Sequence, residues 1–491
     1  MGVALRINKH PILVFPHDHP VTFSFNGKTM HGYSNDTIAA ALHANGITTF
    51  SESLRFHHAR GFFCGIGKCS SCLMKVNSIP NVRTCIAPLT ENVTVETQDT
   101  FAPWPKLKQK TTEETEETQI VDVLIVGGGP AGLEAAIEAA NQGATVLLVD
   151  ENQRLGGQLI KQTHKFFGSK QENAGTRGIT IAKQLEKSVN AHEKITVFLD
   201  STVFGFYEDE PSELFTLTVA KRNGYESTMV KVQAQTVIFA VGAMENMLLF
   251  PGNDLPGVYG AGAVQTLMNV YGVKPGENVI MVGAGNVGLI VSYQLLQAEI
   301  NVDRVVEAAP VIGGYHVHAA KLRRCGVPIY TRHSIKEVNG SDRVEKAVII
   351  RLDEHWQMIP GSEETVPCDT VCLAVGLTPS TRLLSQLGVE MSTVPEAGGH
   401  IALHDEYMQT SVSGIFVAGD NSGIEEASTA MIEGKIAGIA AAQHAEKAKR
   451  NEARKRLQQF IEELSRLRAG PFGEKPRIAK QKIQSLWRKT Q

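Results

Sequence analysis

The sequence predicts an α/β protein in which a small α+β module precedes two Rossmann-like dinucleotide-binding domains. Its 491 residues, 42% hydrophobic and 20% charged, are typical of a folded globular chain of about three domains. A strand, a glycine turn, a helix and a second strand follow one another from Val121, and the pattern returns from Val279. Four of the seven cysteines fall between positions 64 and 85, which favours a metal or cluster site over a disulfide scaffold.

The first predicted element is the α+β module, at residues 1–100. Residues 21–31 partly alternate between apolar and polar and contain Asn26-Gly27, which is a strong hairpin signal. A helix and a closing strand are expected to complete the module. Residues 101–118 are rich in Lys, Thr and Glu, so we expect an exposed linker there, with a solvated surface helix as the alternative.

Within this module the cysteines have an informative spacing. Cys64, Cys69 and Cys72 form a C-x4-C-x2-C pattern, and Cys85 follows after twelve residues. This spacing is typical of plant-type [2Fe–2S] sites, in which four thiolates hold two irons. Zinc is the competing interpretation, but zinc sites usually pair two C-x2-C knuckles and only one is present here. We therefore predict these four residues as iron ligands.

The second element is a dinucleotide-binding fingerprint. An apolar strand from Val121 leads into a G-x-G-x-x-G turn, and a helix and another strand follow. Gly127 is expected to make the tight turn, Gly129 to admit a pyrophosphate, and Gly132 to let the helix pack on the strand. Asp150 ends the next strand, where a carboxylate can bind ribose hydroxyls.

Three further segments are expected to contribute to the same site. They are the Gly-Gly-Gln turn soon after Asp150 and the two apolar strands that end at Gly242 and at Gly419. A further strand at Thr370–Gly376 is expected to accompany them. A carboxylate at one strand end could bind a ribityl hydroxyl of a flavin. The predicted cofactor-binding residues of this first site are Gly127, Gly129, Gly132, Asp150, Gly157, Gln158, Gly242, Gly419 and Asp420.

The third element repeats the fingerprint. Gly283, Gly285 and Gly288 have the same spacing as the first three glycines, and Glu307 ends the following strand. An acidic residue at this position favours a free ribose 2′-hydroxyl, hence NAD over NADP. The alternative is a Rossmann domain with a structural role only, whose nucleotide site is empty or remodelled.

These elements predict a domain order along the chain. We expect an FAD-binding domain in two segments, 119–251 and 368–445, with an inserted NAD-type domain at 252–367 between them. A basic amphipathic tail is expected at 446–491. The tail holds 14 Lys+Arg and 5 Glu, so its net charge is +9, whereas the whole chain has a net charge of −3.

The charge pattern and the tail bear on partners. The near-neutral total gives no argument for nucleic-acid binding. We expect the tail to dock by its apolar stripe, with a contact to a partner chain as the main alternative and a weak membrane-surface contact as the least favoured. No transmembrane segment is expected, and the expected location is cytoplasmic.

The motifs also resemble known families. Residues 119–445 resemble the two-dinucleotide-domain flavoprotein reductases of the thioredoxin-reductase and glutathione-reductase type, and residues 1–100 resemble [2Fe–2S] ferredoxin-like domains. The chain up to residue 445 is similar to the α (A- or B-type) subunits of hydrogen cyanide synthase, opine oxidase, dye-linked proline and hydroxyproline dehydrogenases, and heterotetrameric sarcosine oxidase. The segments that carry this resemblance are 55–61, 81–85, 250–257 and 262–265.

The sequence also departs from these families. No Cys-x-x-Cys lies in the reductase-like region, so a dithiol reductase is not expected. The long C-terminal folate-type domain of sarcosine oxidase α subunits has no counterpart in this sequence. Residues 445–491 contain no cysteine, whereas cyanide synthase and opine oxidase subunits often carry a second cysteine cluster there.

The resemblance implies a function. It implies FAD and a [2Fe–2S] cluster in this chain, and an FMN at the interface with a partner subunit. In relatives, however, the first site holds NAD or ATP. The resemblance also implies an FAD-dependent, amine oxidase-like β subunit that oxidises the substrate, with this chain passing electrons to a small-molecule or protein acceptor. The alternatives are a self-contained NADH:acceptor oxidoreductase and a scaffold with a structural nucleotide. We predict no acid–base catalytic residue.

Overall fold

The computed structural model describes residues 5–98, 117–166, 173–207, 214–223, 226–470 and 473–490. The chain divides into two compact units, each discontinuous in sequence. Unit 1 is drawn from the ranges 1–108 and 245–376, and unit 2 from 109–244 and 377–491. Of the predicted linker at 101–118, only the last two residues are among those described.

The N-terminal region of unit 1 is an α+β module. Its strands and helix are β1 (Pro20–Phe25), β2 (Lys28–Tyr33), α1 (Ile38–Ala44), β3 (Ser51–Glu52), β4 (Ala59–Arg60), β5 (Leu73–Val76), β6 (Ile79–Arg83) and β7 (Thr94–Thr97). Five strands form a sheet in the order β2-β1-β7-β5-β6. Asn26 (φ 47°) and Gly27 (φ 77°) make the predicted hairpin turn between β1 and β2, because both residue types tolerate positive φ. Thr37 caps α1 by accepting from the Ala40 N–H at 3.3 Å.

Unit 2 begins with the first dinucleotide-binding pattern. Its elements are β8 (Glu117–Val126), α2 (Pro130–Asn141), β9 (Val146–Val149), α3 (Gly178–Asn190), β10 (Ile195–Phe198), β11 (Ser201–Tyr207), β12 (Phe215–Asn223), β13 (Glu226–Phe239) and β14 (Ala243–Glu245), whose last residue is counted with unit 1. The sheet order is β10-β9-β8-β13-β12-β11, with β8, β9, β10 and β13 parallel. The last four residues of β8, all of β9 and the last four residues of β13 are apolar or small and buried, as expected of a sheet covered on both faces.

The chain then returns to unit 1 and builds a second α/β domain. Its elements are β15 (Val258–Gly260), α4 (Ala261–Gln265), β16 (Asn278–Val282), α5 (Asn286–Gln297), β17 (Asn301–Glu307), α6 (His316–Arg324), β18 (Ile329–Thr331), β19 (His333–Asn339), β20 (Lys346–Arg351), β21 (Glu364–Pro367) and β22 (Thr370–Leu373). A parallel sheet has the order β15-β22-β16-β17-β18, and β19-β20-β21 form an antiparallel sheet.

The position of β22 differs from the sequence prediction. The sequence pattern assigns the strand at Thr370–Gly376 to the first site and residues 368–445 to the flavin domain. In the structure β22 pairs in parallel with β16, with Val279 opposite Thr370. The backbone pairing therefore keeps this strand in the second domain, and a boundary at 367/368 would separate it from its own sheet.

Unit 2 is completed by the C-terminal elements. These are β23 (Leu377–Pro379), α7 (Arg382–Gln386), β24 (Met391–Val394), β25 (Gly399–Ala402), β26 (Ile415–Val417), α8 (Ala427–His444), α9 (Arg450–Leu467) and α10 (Glu474–Trp487). Strand β26 pairs in parallel with β13, so β8, β13 and β26 end at the same edge of the first sheet.

The tail forms the two helices α9 and α10. The predicted apolar stripe of α9 is buried in the core that α2 and α8 share, through Ala453, Leu457, Phe460 and Leu464. Helix α10 buries Ala479 and Ile483 against the region of β24 and β25. Among the described residues, no helix has the length and apolar character needed to cross a membrane.

Candidate functional site

The four predicted iron ligands converge. Cys64, Cys69 and Cys72 lie on the loop between β4 and β5, and Cys85 follows β6. Cys64, Cys72 and Cys85 are buried, whereas Cys69 is partly exposed. The Cys64 thiol is within hydrogen-bonding contact of Cys69 and Cys85, and Cys85 also contacts Cys72. The Gly67 N–H points at the Cys85 Sγ from 3.3 Å.

The contacts between the thiols shift their protonation. Hydrogen bonds from Cys69 and Cys85 lower the pKa of Cys64 to about 2. The contact with Cys64, followed by burial, raises the pKa of Cys69. Four soft donors in mutual contact, with a backbone N–H aimed at one sulfur, match the donor set of a [2Fe–2S] cluster. Among the described residues, no group of three or more His, Cys, Asp or Glu is arranged to hold a metal ion.

The cysteine loop is packed against the second domain of unit 1. The Phe63 carbonyl accepts from the Gly260 N–H at 3.1 Å. A Cβ on Gly65 would lie 3.4 Å from the Ala263 Cα. Asp254 binds Arg60 at 2.9 Å, just before the loop. The segments that carry the family resemblance, 55–61, 250–257 and 262–265, therefore meet around this loop.

The Gly127 fingerprint has the geometry that a nucleotide site needs. A Cβ on Gly132 would lie 1.8 Å from the Gly127 carbonyl oxygen, so helix α2 approaches β8 as closely as a residue without a side chain allows. At Gly129 an added Cβ would meet only the Gly157 Cα, at 4.0 Å, so the space above this residue is open. Asp150 accepts from the Gly128 N–H at 2.6 Å, and burial raises its pKa.

The other predicted residues of this site lie at the same sheet edge. Gly127 abuts the end of β13, since an added Cβ would lie 2.4 Å from the Ala240 oxygen. Gly242 (φ 67°) follows β13 and has open space around its Cα. Gly419 (φ 67°) follows β26, and its Cβ would lie 3.0 Å from the Ala131 Cβ of α2. Ligands in α/β folds bind at this edge.

Three predicted residues complete this edge. Burial raises the pKa of Asp420, next to Gly419, to about 6. Gly157 (φ 52°) packs on the fingerprint, since an added Cβ would lie 2.8 Å from the Gly129 Cα. Gln158 is exposed.

Two buried polar atoms beside these residues support a ligand. The Ser380 N–H donates to the Gly242 carbonyl at 3.0 Å, and Asn421 Nδ2 donates to the Ser380 carbonyl at 2.7 Å. The Ser380 Oγ and the Asn421 Oδ1 are buried without a hydrogen-bond partner in the protein. Buried polar atoms are normally satisfied, so these two fit a site that a polar ligand completes. Sequence reasoning missed both residues, although Asn421 directly follows Asp420.

The Gly283 site repeats the Gly127 site almost atom for atom. A Cβ on Gly283 would lie 2.3 Å from the Ala374 oxygen, one on Gly288 would lie 2.0 Å from the Gly283 oxygen, and Gly285 is open. Glu307 accepts from the Ala284 N–H at 2.7 Å, as Asp150 does from Gly128. Glu307 lies 24 residues after Gly283 and Asp150 lies 23 after Gly127, because a bulge adds one residue to β17.

Sequence reasoning also missed a cluster of buried charges beside Gly419. Glu433 of α8 contacts Arg468, which follows α9, and Lys480 of α10. Its carboxylate accepts from the Gly419 N–H at 3.1 Å. The available signal was a glutamate in the mostly small and apolar helix α8, but its partners are 35 and 47 residues away in sequence.

Four histidines lie on the turn before the cysteine loop and in helix α6. His57 and His58 are exposed on the turn before the cysteine loop, and His316 is exposed at the start of α6. His318 is buried, which lowers its pKa.

Comparison with known proteins assigns this architecture to a family. The model of the pyridine nucleotide-disulphide oxidoreductases matches residues 121–434, and that of the 2Fe-2S iron-sulfur cluster binding domain matches residues 18–100. The chain belongs to the pyridine nucleotide-disulphide oxidoreductase family. The predicted fold class, the oxidoreductase class and the [2Fe–2S] domain are thereby confirmed.

Curated relatives are subunits of larger enzymes. The chain is 26% identical to the alpha subunit of the sarcosine oxidase of Rhizobium meliloti (strain 1021) over 75% of its own length and 41% of that protein. It is 28% identical to the A-type subunit of the opine oxidase of Agrobacterium tumefaciens (strain Ach5) over 67% of its own length and 66% of that protein. The chain thus spans less than two thirds of each.

Solved structures agree on the fold. The L-proline dehydrogenase from P. horikoshii superimposes with a TM-score of 0.67 at 24% identity, over 92% of this chain and 79% of that one. The T. acidophilum thioredoxin reductase gives a TM-score of 0.53 at 21% identity, over 66% and 98%. At these identities the likeness supports the fold alone.

Proposed function

We propose that this chain is the redox subunit of a hetero-oligomeric amine or imino-acid dehydrogenase or oxidase. A substrate of the proline, hydroxyproline, opine, sarcosine or glycine class would be oxidised on a separate FAD-dependent, amine oxidase-like subunit. This chain would pass the electrons to a small-molecule or protein acceptor. The observation that carries the proposal is the convergence of four cysteine sulfurs in a member of a dinucleotide-binding oxidoreductase family. Two relatives, a sarcosine oxidase subunit and an opine oxidase subunit, support the sarcosine and opine members of this substrate class.

The cofactor assignment follows from the residues around each fingerprint. We assign FAD to the Gly127 site, where Gly129 would admit the pyrophosphate and Asp150 would bind ribose. Asp420 and the unsatisfied atoms of Ser380 and Asn421 would face the polar portion of the ring or the ribityl chain. The four cysteines would hold the [2Fe–2S] cluster, and an FMN shared with the partner subunit belongs to the same proposal.

In this proposal the residues of the chain bind the cofactors and exclude water from them. When bound, FAD exchanges electron pairs with organic donors and single electrons with iron–sulfur clusters. The chain binds and orients the nucleotide through backbone N–H groups at the start of α2. Burial of Cys64, Cys72 and Cys85 excludes water from three of the four thiols. The partly exposed Cys69 marks the edge of the loop that is nearest to solvent.

The test is purification from the native host followed by identification of the bound subunits by mass spectrometry. We expect an FAD-dependent partner, and we expect L-proline, hydroxyproline, an opine, sarcosine or glycine to reduce the cluster of the anaerobic complex, as seen by electron paramagnetic resonance. The matched control is the complex with Cys85→Ser, in which the signal should be absent. A chain that purifies without any flavoprotein partner, and whose cluster none of these substrates reduces, would contradict the proposal.

A second candidate is an NADH:acceptor oxidoreductase, which the intact geometry of the Gly283 site favours. Gly285 is open and Glu307 is placed as in NAD-binding domains. Rapid mixing of the purified chain with NADH separates the two candidates. Bleaching of the flavin absorbance that Gly285→Ala abolishes would support the second candidate, and an unchanged flavin spectrum would leave the first.

A further inference from the structure

Unit 2 contains a buried cluster of four charges that joins the C-terminal helices to the nucleotide site. The carboxylates of Glu425 and Glu433 meet the guanidinium of Arg468 and the ammonium of Lys480. Arg468 binds Glu425 through two nitrogens, at 2.6 and 3.0 Å, and reaches Glu433 at 2.5 Å. Lys480 lies 2.8 Å from Glu433. The Glu433 side chain is 1% exposed and that of Lys480 is 5% exposed, so the charges compensate one another away from water.

The cluster holds the turn that carries Asp420. Glu433 accepts from the Gly419 N–H at 3.1 Å and contacts the Ser422 Oγ at 2.6 Å. Lys480 donates to the Ser422 carbonyl at 2.8 Å. Both ends of the turn from Gly419 to Ser422 are therefore bound by side chains of the cluster, and Asp420 lies between them.

The helices do not need these charges in order to dock. Helix α9 already buries four apolar side chains against α2 and α8, and α10 buries Ala479 and Ile483. Buried ion pairs add little net stability, since desolvation offsets their attraction, but they fix geometry. The cluster contacts a turn at the ligand-binding edge of the sheet, which indicates that the fixed geometry serves ligand binding.

We propose that Arg468 and Lys480, on the C-terminal tail, are positioning residues for the flavin site: they hold Glu433 against Gly419 and Ser422 and so fix Asp420 toward the cofactor. This inference rests on the proposed assignment of FAD to the Gly127 site. The tail is then a component of the cofactor site and not an appendage. The four charges sum to zero, so loss of the Lys480 charge would leave an uncompensated carboxylate behind Asp420, which disfavours negative charge on a reduced flavin.

The test compares Lys480→Met with Lys482→Met in the full chain. Lys482 is on the same helix but pairs with Glu396 at the exposed surface, so it controls for the loss of one tail charge. We measure FAD affinity by titrating the deflavinated protein, and the midpoint potential of the bound flavin by anaerobic dye titration. Lys480→Met should weaken FAD binding at least tenfold and lower the midpoint potential, whereas Lys482→Met should match the wild type in both. Lys480→Arg, which keeps the charge, should restore much of the loss.

The outcomes separate this inference from the proposed function. A merely structural role would lower the melting temperature of Lys480→Met but leave FAD affinity and potential unchanged well below that temperature, and this result would overturn the inference alone. A wild-type chain that takes up no FAD would overturn both. If Lys480→Met does not fold, Arg468→Lys keeps the charge but loses the two-nitrogen contact with Glu425. Weaker FAD binding by that variant would support the inference, and wild-type affinity and potential would refute it.

Discussion

Alanine at the second glycine of each fingerprint should separate nucleotide binding from folding. Gly129 has φ −75° and ψ −176°, and Gly285 has φ −72° and ψ 177°, which are conformations that alanine adopts without strain. An added Cβ has no neighbour nearer than 4.0 Å at Gly129 and none within 4 Å at Gly285. The free energy of unfolding of the nucleotide-free protein should therefore change little.

The expected change can be worked out from two opposing effects. Alanine restricts the unfolded chain and stabilises by about 0.4–1 kcal/mol. Both glycines are N-cap residues, where alanine is disfavoured by roughly 0.5–1 kcal/mol. The sum is within about 1 kcal/mol of zero, which corresponds to a melting-temperature shift of at most about 2–4 °C for a domain of this size.

Nucleotide binding should respond quite differently. The new methyl group occupies the space through which a pyrophosphate approaches the backbone. Overpacking of this kind costs about 1–3 kcal/mol, which is roughly a fivefold to hundredfold loss of affinity. We expect Gly129→Ala to weaken FAD binding and spare NAD, and Gly285→Ala to weaken NAD binding and spare FAD.

Thermal melts of the nucleotide-free proteins and fluorescence titrations with FAD and NAD measure both effects. The two variants serve as reciprocal controls. Gly132→Ala is the contrasting case, because its Cβ would lie 1.8 Å from a backbone oxygen and must disturb the fold itself. If Gly129→Ala binds FAD within about threefold of the wild type while remaining folded, the assignment of the open space at Gly129 to the pyrophosphate is wrong.

Three further predictions concern the cysteines, one histidine and the tail. Cys85→Ser should abolish acid-labile sulfide and the visible absorption of the cluster, whereas Cys325→Ser, at an exposed thiol, should keep both. Burial lowers the pKa of His404 from 6.5 to about 4. The free energy of unfolding should therefore fall by about 3 kcal/mol as the pH drops from 6.5 toward 4, because only the unfolded chain takes up the proton in that range. Thermal melts of His404→Gln should show a weaker acid dependence. Phe460→Ala should lower the free energy of unfolding by about 3–5 kcal/mol. Phe204→Ala, at a side chain 41% exposed, should have little effect. Equal melting temperatures of these two variants would show that α9 does not belong to the core.

The fingerprints were predictable because each residue type answers a local steric demand. Gly132 and Gly288 are glycine because a backbone oxygen lies where a Cβ would be, at 1.8 and 2.0 Å respectively. Asn26-Gly27 was predictable for the same reason, since the turn needs two residues with positive φ. The convergence of Cys85 with the other three cysteines was predicted from the match to the plant-type [2Fe–2S] spacing, and in the structure the β5–β6 hairpin lies between Cys72 and Cys85.

Features that depend on pairing between distant segments were not predictable in this way. An apolar strand such as β22 has the same sequence pattern in either sheet, and only its pairing with β16 assigns it to the second domain. The charges of Arg468 and Lys480 look like those of any solvated basic helix. Their burial depends on the carboxylates of Glu425 and Glu433, which no local pattern connects to the tail.

The near-identity of the two fingerprints has a consequence for cofactor choice. Asp150 and Glu307 accept from equivalent backbone N–H groups at 2.6 and 2.7 Å, so the fingerprints themselves do not distinguish FAD from NAD. The distinction must come from what faces each sheet edge. At the Gly127 site a buried turn, two unsatisfied polar atoms and a charge cluster surround Gly242 and Asp420. That environment suits a cofactor that stays bound through turnover, and therefore the Gly127 site, not the Gly283 site, is the one to which we assign the flavin.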